Sequence, residues 1–159
     1  MKTSEIKIVV YEYETIHELP EKDQLLLTEA RKITQKAYAP YSGFHVGAAV
    51  LLENGQIVTG NNQENSAFPS GLCAERVALF YANANYPESA VKTIAISAAK
   101  NGVLVNEPVK PCGSCRQVMA ETEVRFSQPI RIILDGQDSI LVLNGVECLL
   151  PLSFSKKDL

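Results

Sequence analysis

The sequence predicts one layered α/β domain, a mixed sheet sandwiched by helices, and three observations carry that prediction. An early stretch repeats apolar residues at helical spacing, an Asn-Gly pair joins two apolar runs, and the rest of the chain alternates helix-patterned with strand-patterned segments. No internal repeat, linker or low-complexity tract interrupts it, and 159 residues with 46% apolar content suit a single core.

In order along the chain, Ile6 to Tyr13 sets Ile6, Ile8 and Val10 against Lys7, Val9 and Tyr11, which predicts a short edge strand within an N-terminal extension, residues 1–19. After Pro20, Leu25, Leu26, Ala30, Ile33 and Ala37 recur at helical spacing through Glu21 to Tyr38. Acidic residues come early and Lys32 and Lys36 late, as the helix dipole prefers. Pro40 to Gly43 breaks the chain, and Phe44 to Leu52 reads as a strand turning at Asn54-Gly55 into Gln56 to Gly60. Asn61 to Gly71 is a polar loop, and a second helix is expected over Cys73 to Ala84, beginning at Cys73 or just before it. Thr93 to Ala99 is a short apolar strand, and a loop then reaches Pro111. A further helix is expected over Ser114 to Glu123, with strands at Ile130 to Leu134 and Ser139 to Leu143.

The formal net charge of −3 and the even scatter of Lys and Arg give no basic stripe to neutralise a phosphate backbone, which argues against a nucleic-acid polymer as substrate. Met1 to Tyr13 lacks the continuous apolar core of a signal peptide and no stretch reaches the length of a membrane span, so the expectation is a soluble cytoplasmic protein. In a reducing compartment the close pair Cys112/Cys115 reads as metal-binding or catalytic rather than as a disulfide. His17 and His45 are the only histidines, so a metal site here must be mostly thiolate.

The sharpest signal is Cys73-Ala74-Glu75 followed about forty residues later by Pro111-Cys112-Gly113-Ser114-Cys115, the form of the zinc deaminase signature in its three-cysteine version. A thiolate at the start of a helix gains from unpaired backbone N–H groups and from the dipole, which favour the ligating form. Three thiolates leave one tetrahedral position for water, the mark of a catalytic rather than a structural zinc. Glu75, two residues past the first ligand, is placed to take a proton from that water and pass it to a leaving nitrogen, while Ala74 takes no space from a substrate. Zn²⁺ with three thiolates carries a formal charge of −1, and Arg76 is the nearest candidate to hydrogen-bond a ligand sulfur and draw off that charge. The alternative is a structural zinc closed by His45, His17 or Cys148; Cys148 alone reads as a small buried apolar residue.

From about Leu25 onward the chain resembles the homotetrameric cytidine deaminases. The resemblance rests on Ala39-Pro40-Tyr41-Ser42-Gly43-Phe44-His45-Val46-Gly47-Ala48-Ala49, Gly60-Asn61-Asn62-Gln63-Glu64-Asn65, Cys73-Ala74-Glu75-Arg76-Val77-Ala78, Pro111-Cys112-Gly113-Ser114-Cys115-Arg116-Gln117-Val118 and Leu149-Leu150-Pro151-Leu152-Ser153-Phe154. It implies a cytidine-deaminase-like three-layer α/β/α sandwich over residues 20–159, one Zn²⁺ per subunit, and hydrolysis of cytidine and 2′-deoxycytidine to the uridine products with release of ammonia, in pyrimidine salvage. It further implies that Asn62 and Glu64 bind the sugar 3′-hydroxyl, that Phe44 packs on the pyrimidine, and that Phe154 of a neighbouring subunit reaches over the base; in the mechanism expected for such a site, backbone groups around Ala74 and Cys112 orient the ring. Core packing for the phenylalanines and helix capping for Asn62 and Glu64 are the plainer readings. Where many members have a tyrosine after the Asn-x-Glu-Asn stretch, this chain has Phe68, without the hydroxyl that would contact the sugar 5′-side. Rival readings are a deaminase of another cytosine compound such as a nucleoside antibiotic, a deaminase of bases in nucleic acid, and a non-catalytic zinc domain in which Glu75 has no role.

Overall fold

Strands that read as near-continuous apolar runs, as Val46 to Leu52 and Ile132 to Leu134 do, need cover on both faces, and this chain supplies helices for each. The computed structural model describes all 159 residues. Its elements are β1 (Tyr11–Tyr13), α1 (Glu21–Ile33), β2 (Phe44–Leu52), β3 (Ile57–Asn61), α2 (Ala74–Asn85), β4 (Val91–Lys100), β5 (Val103–Leu104), α3 (Gly113–Phe126), β6 (Arg131–Asp135) and β7 (Ile140–Asn144). The strands form one sheet in the order β1-β7-β6-β4-β2-β3, with β5 added on β4. Only β4 and β6 run parallel, in the register Thr93↔Arg131 to Ile96↔Leu134; every other pairing is antiparallel.

On one face Ala48, Val50, Ile94, Ile96, Ile132 and Leu134 pack under α2 and α3 with Ala78, Leu79 and Met119. On the other, Ala49, Ala95, Ile133 and Val142 meet Leu26, Leu27 and Ala30 of α1. This is the expected three-layer sandwich. Two glycines let the layers close. A Cβ on Gly47 would lie 2.2 Å from the Ala30 carbonyl oxygen, and one on Gly60 would lie 2.5 Å from the Ala78 nitrogen, so α1 and α2 rest directly on the strand backbones.

The α1 face also holds a buried ion pair. Arg31 donates from Nε (2.8 Å) and Nη2 (2.7 Å) to the two oxygens of Asp135, which is wholly buried and also accepts from Ser97 Oγ at 2.7 Å. Replacing Arg31 with Met would strand that carboxylate. The expected loss of stability is at the lower end of about 3–5 kcal/mol, since the guanidinium itself is partly solvated, and urea unfolding of Arg31→Met beside Arg31→Met/Asp135→Asn measures it. The double variant is expected to recover part of the loss.

The structure departs from expectation at three places. The strand expected over Ile6 to Tyr13 is confined to Tyr11–Tyr13, paired with β7 as Tyr11↔Val142 to Tyr13↔Ile140. Continued in that register, Ile8 would face Gly145, where the chain turns away at a φ of +87°, so the template runs out. The first helix stops at Ile33 and passes through a 3₁₀ turn at Thr34–Lys36 instead of continuing to Tyr38. Tyr38 is drawn off by backbone bonds to the loop after β3, its N–H to Asn62 O at 3.0 Å and its carbonyl from Glu64 N at 2.8 Å. Finally, β5 folds back on β4 inside what reads as a loop, with Asn101 and Gly102 at φ +54° and +78°.

Parallel pairing of β4 and β6 positions the site. Each strand is preceded by a helix on the same face, α2 before β4 and α3 before β6, so both helices begin at the same end of the sheet. The start of β2 and the end of β3 lie there too, through Phe44↔Lys100 and Gly47↔Asn61.

Candidate metal centre and active site

Cys73 and Cys112 occupy the N-cap positions of α2 and α3, with extended backbone (φ −73°, ψ 152° and φ −67°, ψ 167°), and Cys115 lies one turn into α3. No side chain caps either helix, so the N-terminal N–H groups and the positive ends of both dipoles face the sulfurs. Cys73 Sγ lies 3.7 Å from Cys112 Sγ, which lies 3.6 Å from Cys115 Sγ, and all three fall within 4.8 Å of one another. Tetrahedral zinc with Zn–S bonds of about 2.3 Å requires sulfurs about 3.8 Å apart, so the three cysteines fit the ion.

The charge balance of the cluster points the same way. The Cys73 thiol is pulled down to about 5, by the hydrogen bond from Cys115 above all and with help from Arg76. Cys115 is pushed up by that same contact and by its burial. Three sulfurs this close cannot all ionise by themselves, and a dication is what makes all three thiolates. Arg76 Nη2 reaches Cys73 Sγ at 3.7 Å and its Nε is buried without a partner, so a fixed cation lies against the thiolates.

No fourth His, Cys, Asp or Glu joins the cluster. The Nδ1 of His45 is turned to Gly43 O at 3.1 Å, His17 lies in an exposed 3₁₀ turn, and the Cys148 thiol donates to Asn144 O at 3.4 Å. None of these residues stands with the three cysteines, so the structure gives no support to a zinc closed by one of them. Cys148 is half-buried and packed against the edge of the core, not sealed inside it. Glu75, in the first turn of α2, is 4% exposed; burial pushes its carboxyl up from the ordinary range, and the charge of Cys73 adds to that.

Beside the cluster is a cleft of about 510 Å³ whose walls include Asn62, Glu64, Phe68, Cys73 and Arg76. The Asn62 amide bridges two strand carbonyl and amide groups, accepting from Val46 N at 2.7 Å and donating to Phe44 O at 2.9 Å. Glu64 accepts from the backbone N–H groups of Tyr41 (2.9 Å) and Ser42 (3.3 Å) and from Ser42 Oγ. These bonds, the Ser42 hydroxyl first, hold its carboxyl below the usual range. Neither side chain caps α2. Sequence reasoning gave Ser42 no role, although its hydroxyl also accepts from Phe44 N at 3.0 Å and so ties Glu64 to the start of β2. Phe68 is 77% exposed and meets Tyr41 edge-on, ring centroids 6.2 Å apart.

Residues 20–127 match the family model of the cytidine and deoxycytidylate deaminase zinc-binding region. The chain belongs to this deaminase family. Among curated members, a cytidine deaminase of Sporosarcina psychrophila is 43% identical over 134 residues, 84% of this chain and 92% of the relative. One of Halalkalibacterium halodurans is 45% identical over 98 residues, 62% of this chain and 70% of the relative. Of solved structures, the cytidine deaminase of Burkholderia pseudomallei superposes with a TM-score of 0.71 at 35% identity, covering 86% of this chain and all of that one.

Within this deaminase fold the expected site residues divide. Cys73, Cys112, Cys115 and Arg76 are in contact, Ala74 and Glu75 are buried beside them in the first turn of α2, and Asn62 and Glu64 face the adjoining cleft. Phe44 is half-buried at the start of β2, held by Asn62 and Ser42. Phe154 does not line the cleft. It is 62% exposed over α3, where Gln117 Nε2 donates to its carbonyl at 2.9 Å.

Proposed function

We propose that this chain hydrolyses the exocyclic amine of free cytidine and 2′-deoxycytidine, releasing ammonia and the uridine nucleosides in pyrimidine salvage. The observation that carries this reading is a cluster of three cysteine sulfurs with no fourth protein ligand and a buried carboxyl beside it, next to a cleft of nucleoside size. Cys73, Cys112 and Cys115 would hold the Zn²⁺, which would supply the polarisation that makes water nucleophilic near neutral pH. Glu75 takes the proton that water loses as it adds to C4, gives it to N3, and then carries the hydroxyl proton to the departing amine, so that ammonia leaves as the C4 carbonyl forms. A low-dielectric pocket suits this role, because a carboxyl that resists ionisation holds the proton between transfers. Arg76 offsets the anionic charge that three thiolates leave around the metal.

Asn62 and Glu64 are the sugar contacts in this reading, with Phe44 against the pyrimidine and backbone at Ala74 orienting it. The bonds already made by Asn62 and Glu64 fix their orientation before substrate arrives, which limits the ordering cost of binding. Asn62→Ala removes both the contact and the brace on Phe44, so KM for cytidine is expected to rise about tenfold or more with a smaller change in kcat, as initial-rate measurements will show. Phe154, exposed in its own subunit, completes a neighbour's site in a homotetramer of cytoplasmic protein. No helix is long and apolar enough to cross a membrane.

Loss of ultraviolet absorbance on mixing the zinc-loaded protein with cytidine and, separately, deoxycytidine tests the reading. Turnover of both is expected, and turnover of neither by zinc-loaded protein would overturn it.

A further inference from the structure

Of the three sulfur ligands, Cys115 is buried and Cys73 is half-covered with Arg76 against its sulfur, but Cys112 is exposed. Its position must therefore be fixed through its backbone rather than by packing. Both carbonyls that flank its Cα are held by one residue. The Arg116 backbone N–H donates to Cys112 O at 3.0 Å, the first bond of α3, and its Nε donates to Pro111 O at 2.8 Å. The two peptide planes that set φ and ψ of Cys112 are thus gripped from the same residue, one from each side. The guanidinium is itself held by a third bond, Nη1 to Leu149 O at 2.8 Å, in the segment that follows β7. The planar fork of an arginine spans two carbonyls in fixed geometry, which a lysine ammonium cannot do.

The geometry points to Arg116 as the positioning residue for the metal ligand Cys112, clamping the Pro111–Cys112 peptide so that the exposed thiolate stays at bonding distance from its two partners. Arg116 contacts no sulfur. It acts by keeping Cys112 from swinging outward, which is the step by which a metal held by one exposed ligand begins to leave. Outer partners that orient ligands contribute about 10–100-fold to metal affinity, and here that contribution falls on the ligand with the least packing around it. The inference rests on the metal reading of the three cysteines.

Zinc release to a chromophoric chelator, measured for wild type, Arg116→Ala, Arg116→Lys and the neighbouring Gln117→Ala, tests it. Release from Arg116→Ala is expected to be about 10–100-fold faster than from wild type. The lysine variant should be intermediate and Gln117→Ala unchanged. The visible spectrum of the cobalt-loaded alanine variant should differ from that of wild type, because the ligand set is no longer held at one angle. A role confined to stability would lower the melting temperature of Arg116→Ala and leave its release rate and cobalt spectrum as in wild type, and that result overturns the inference. If the alanine variant does not fold, a folded lysine variant with wild-type release overturns it equally. Wild-type protein that takes up no zinc would instead refute the metal reading itself.

Discussion

Glu75→Gln is expected to lower kcat for cytidine by about 10²–10⁴-fold while zinc content, fold and oligomeric state remain those of wild type. Glutamine has the shape of the glutamate and fits the same nearly sealed position in the first turn of α2, where the native side chain is 4% exposed. What it lacks is an oxygen that accepts and surrenders a proton. Because the loss falls on proton transfer and not on substrate contact, KM should change little, and the ratio of the two effects distinguishes a shuttle from a binding group. Absorbance assays with metal analysis on the same preparation measure all three quantities. A variant with bound zinc and more than a tenth of wild-type kcat would remove Glu75 from the proton path.

Stripping the metal is expected to have a comparable or larger effect. Dialysis against a strong chelator should reduce turnover to background, and one equivalent of Zn²⁺ per chain should restore it. The Cys115→Ala variant should remain inactive at the same zinc concentration. The asymmetry follows from burial: Cys115 is enclosed, and its loss leaves two sulfurs for an ion that needs three protein ligands to be held with one position free. The metal-free protein should also melt at a lower temperature than the loaded form, since the ion binds the folded arrangement and not the open chain. Activity that survives complete metal removal would exclude a metal-assisted hydrolysis.

Much of this arrangement is legible in the residues because local chemistry and global fold agree. The hairpin at Asn54-Gly55, the strand register alternating between two cores, and the cysteine spacing each need only short stretches of chain to be read. The boundaries that shift are those decided at long range. Tyr38 leaves the helical pattern because a loop more than twenty residues later offers it better backbone partners, a competition that periodicity does not register. The edge strand is shorter than its alternation suggests because its template, β7, ends at Asn144. The hairpin into β5 has its own signal in the residues, since Asn101-Gly102 is the same dipeptide that turns the chain at Asn54-Gly55. In the site, residue types and spacing identify the cluster, but the brace of Asn62 on Phe44, the Ser42 bridge and the grip of Arg116 on two carbonyls depend on which backbone group or distant side chain each polar side chain reaches, and residue type alone does not encode that.

The parallel pairing of β4 with β6 has a consequence for how the protein comes into being. Cys73 and Cys112 stand 39 positions apart, and neither helix, formed alone, brings them closer. Only when β6 has docked alongside β4 in register do the starts of α2 and α3 converge, and contacts of that separation are among the last that a chain acquires, because the loop between them must be closed first. Helical content can therefore be complete while the ligands are still apart. The full three-sulfur set exists only once the sheet has assembled, so capture of zinc by all three cysteines together is expected to come late in folding.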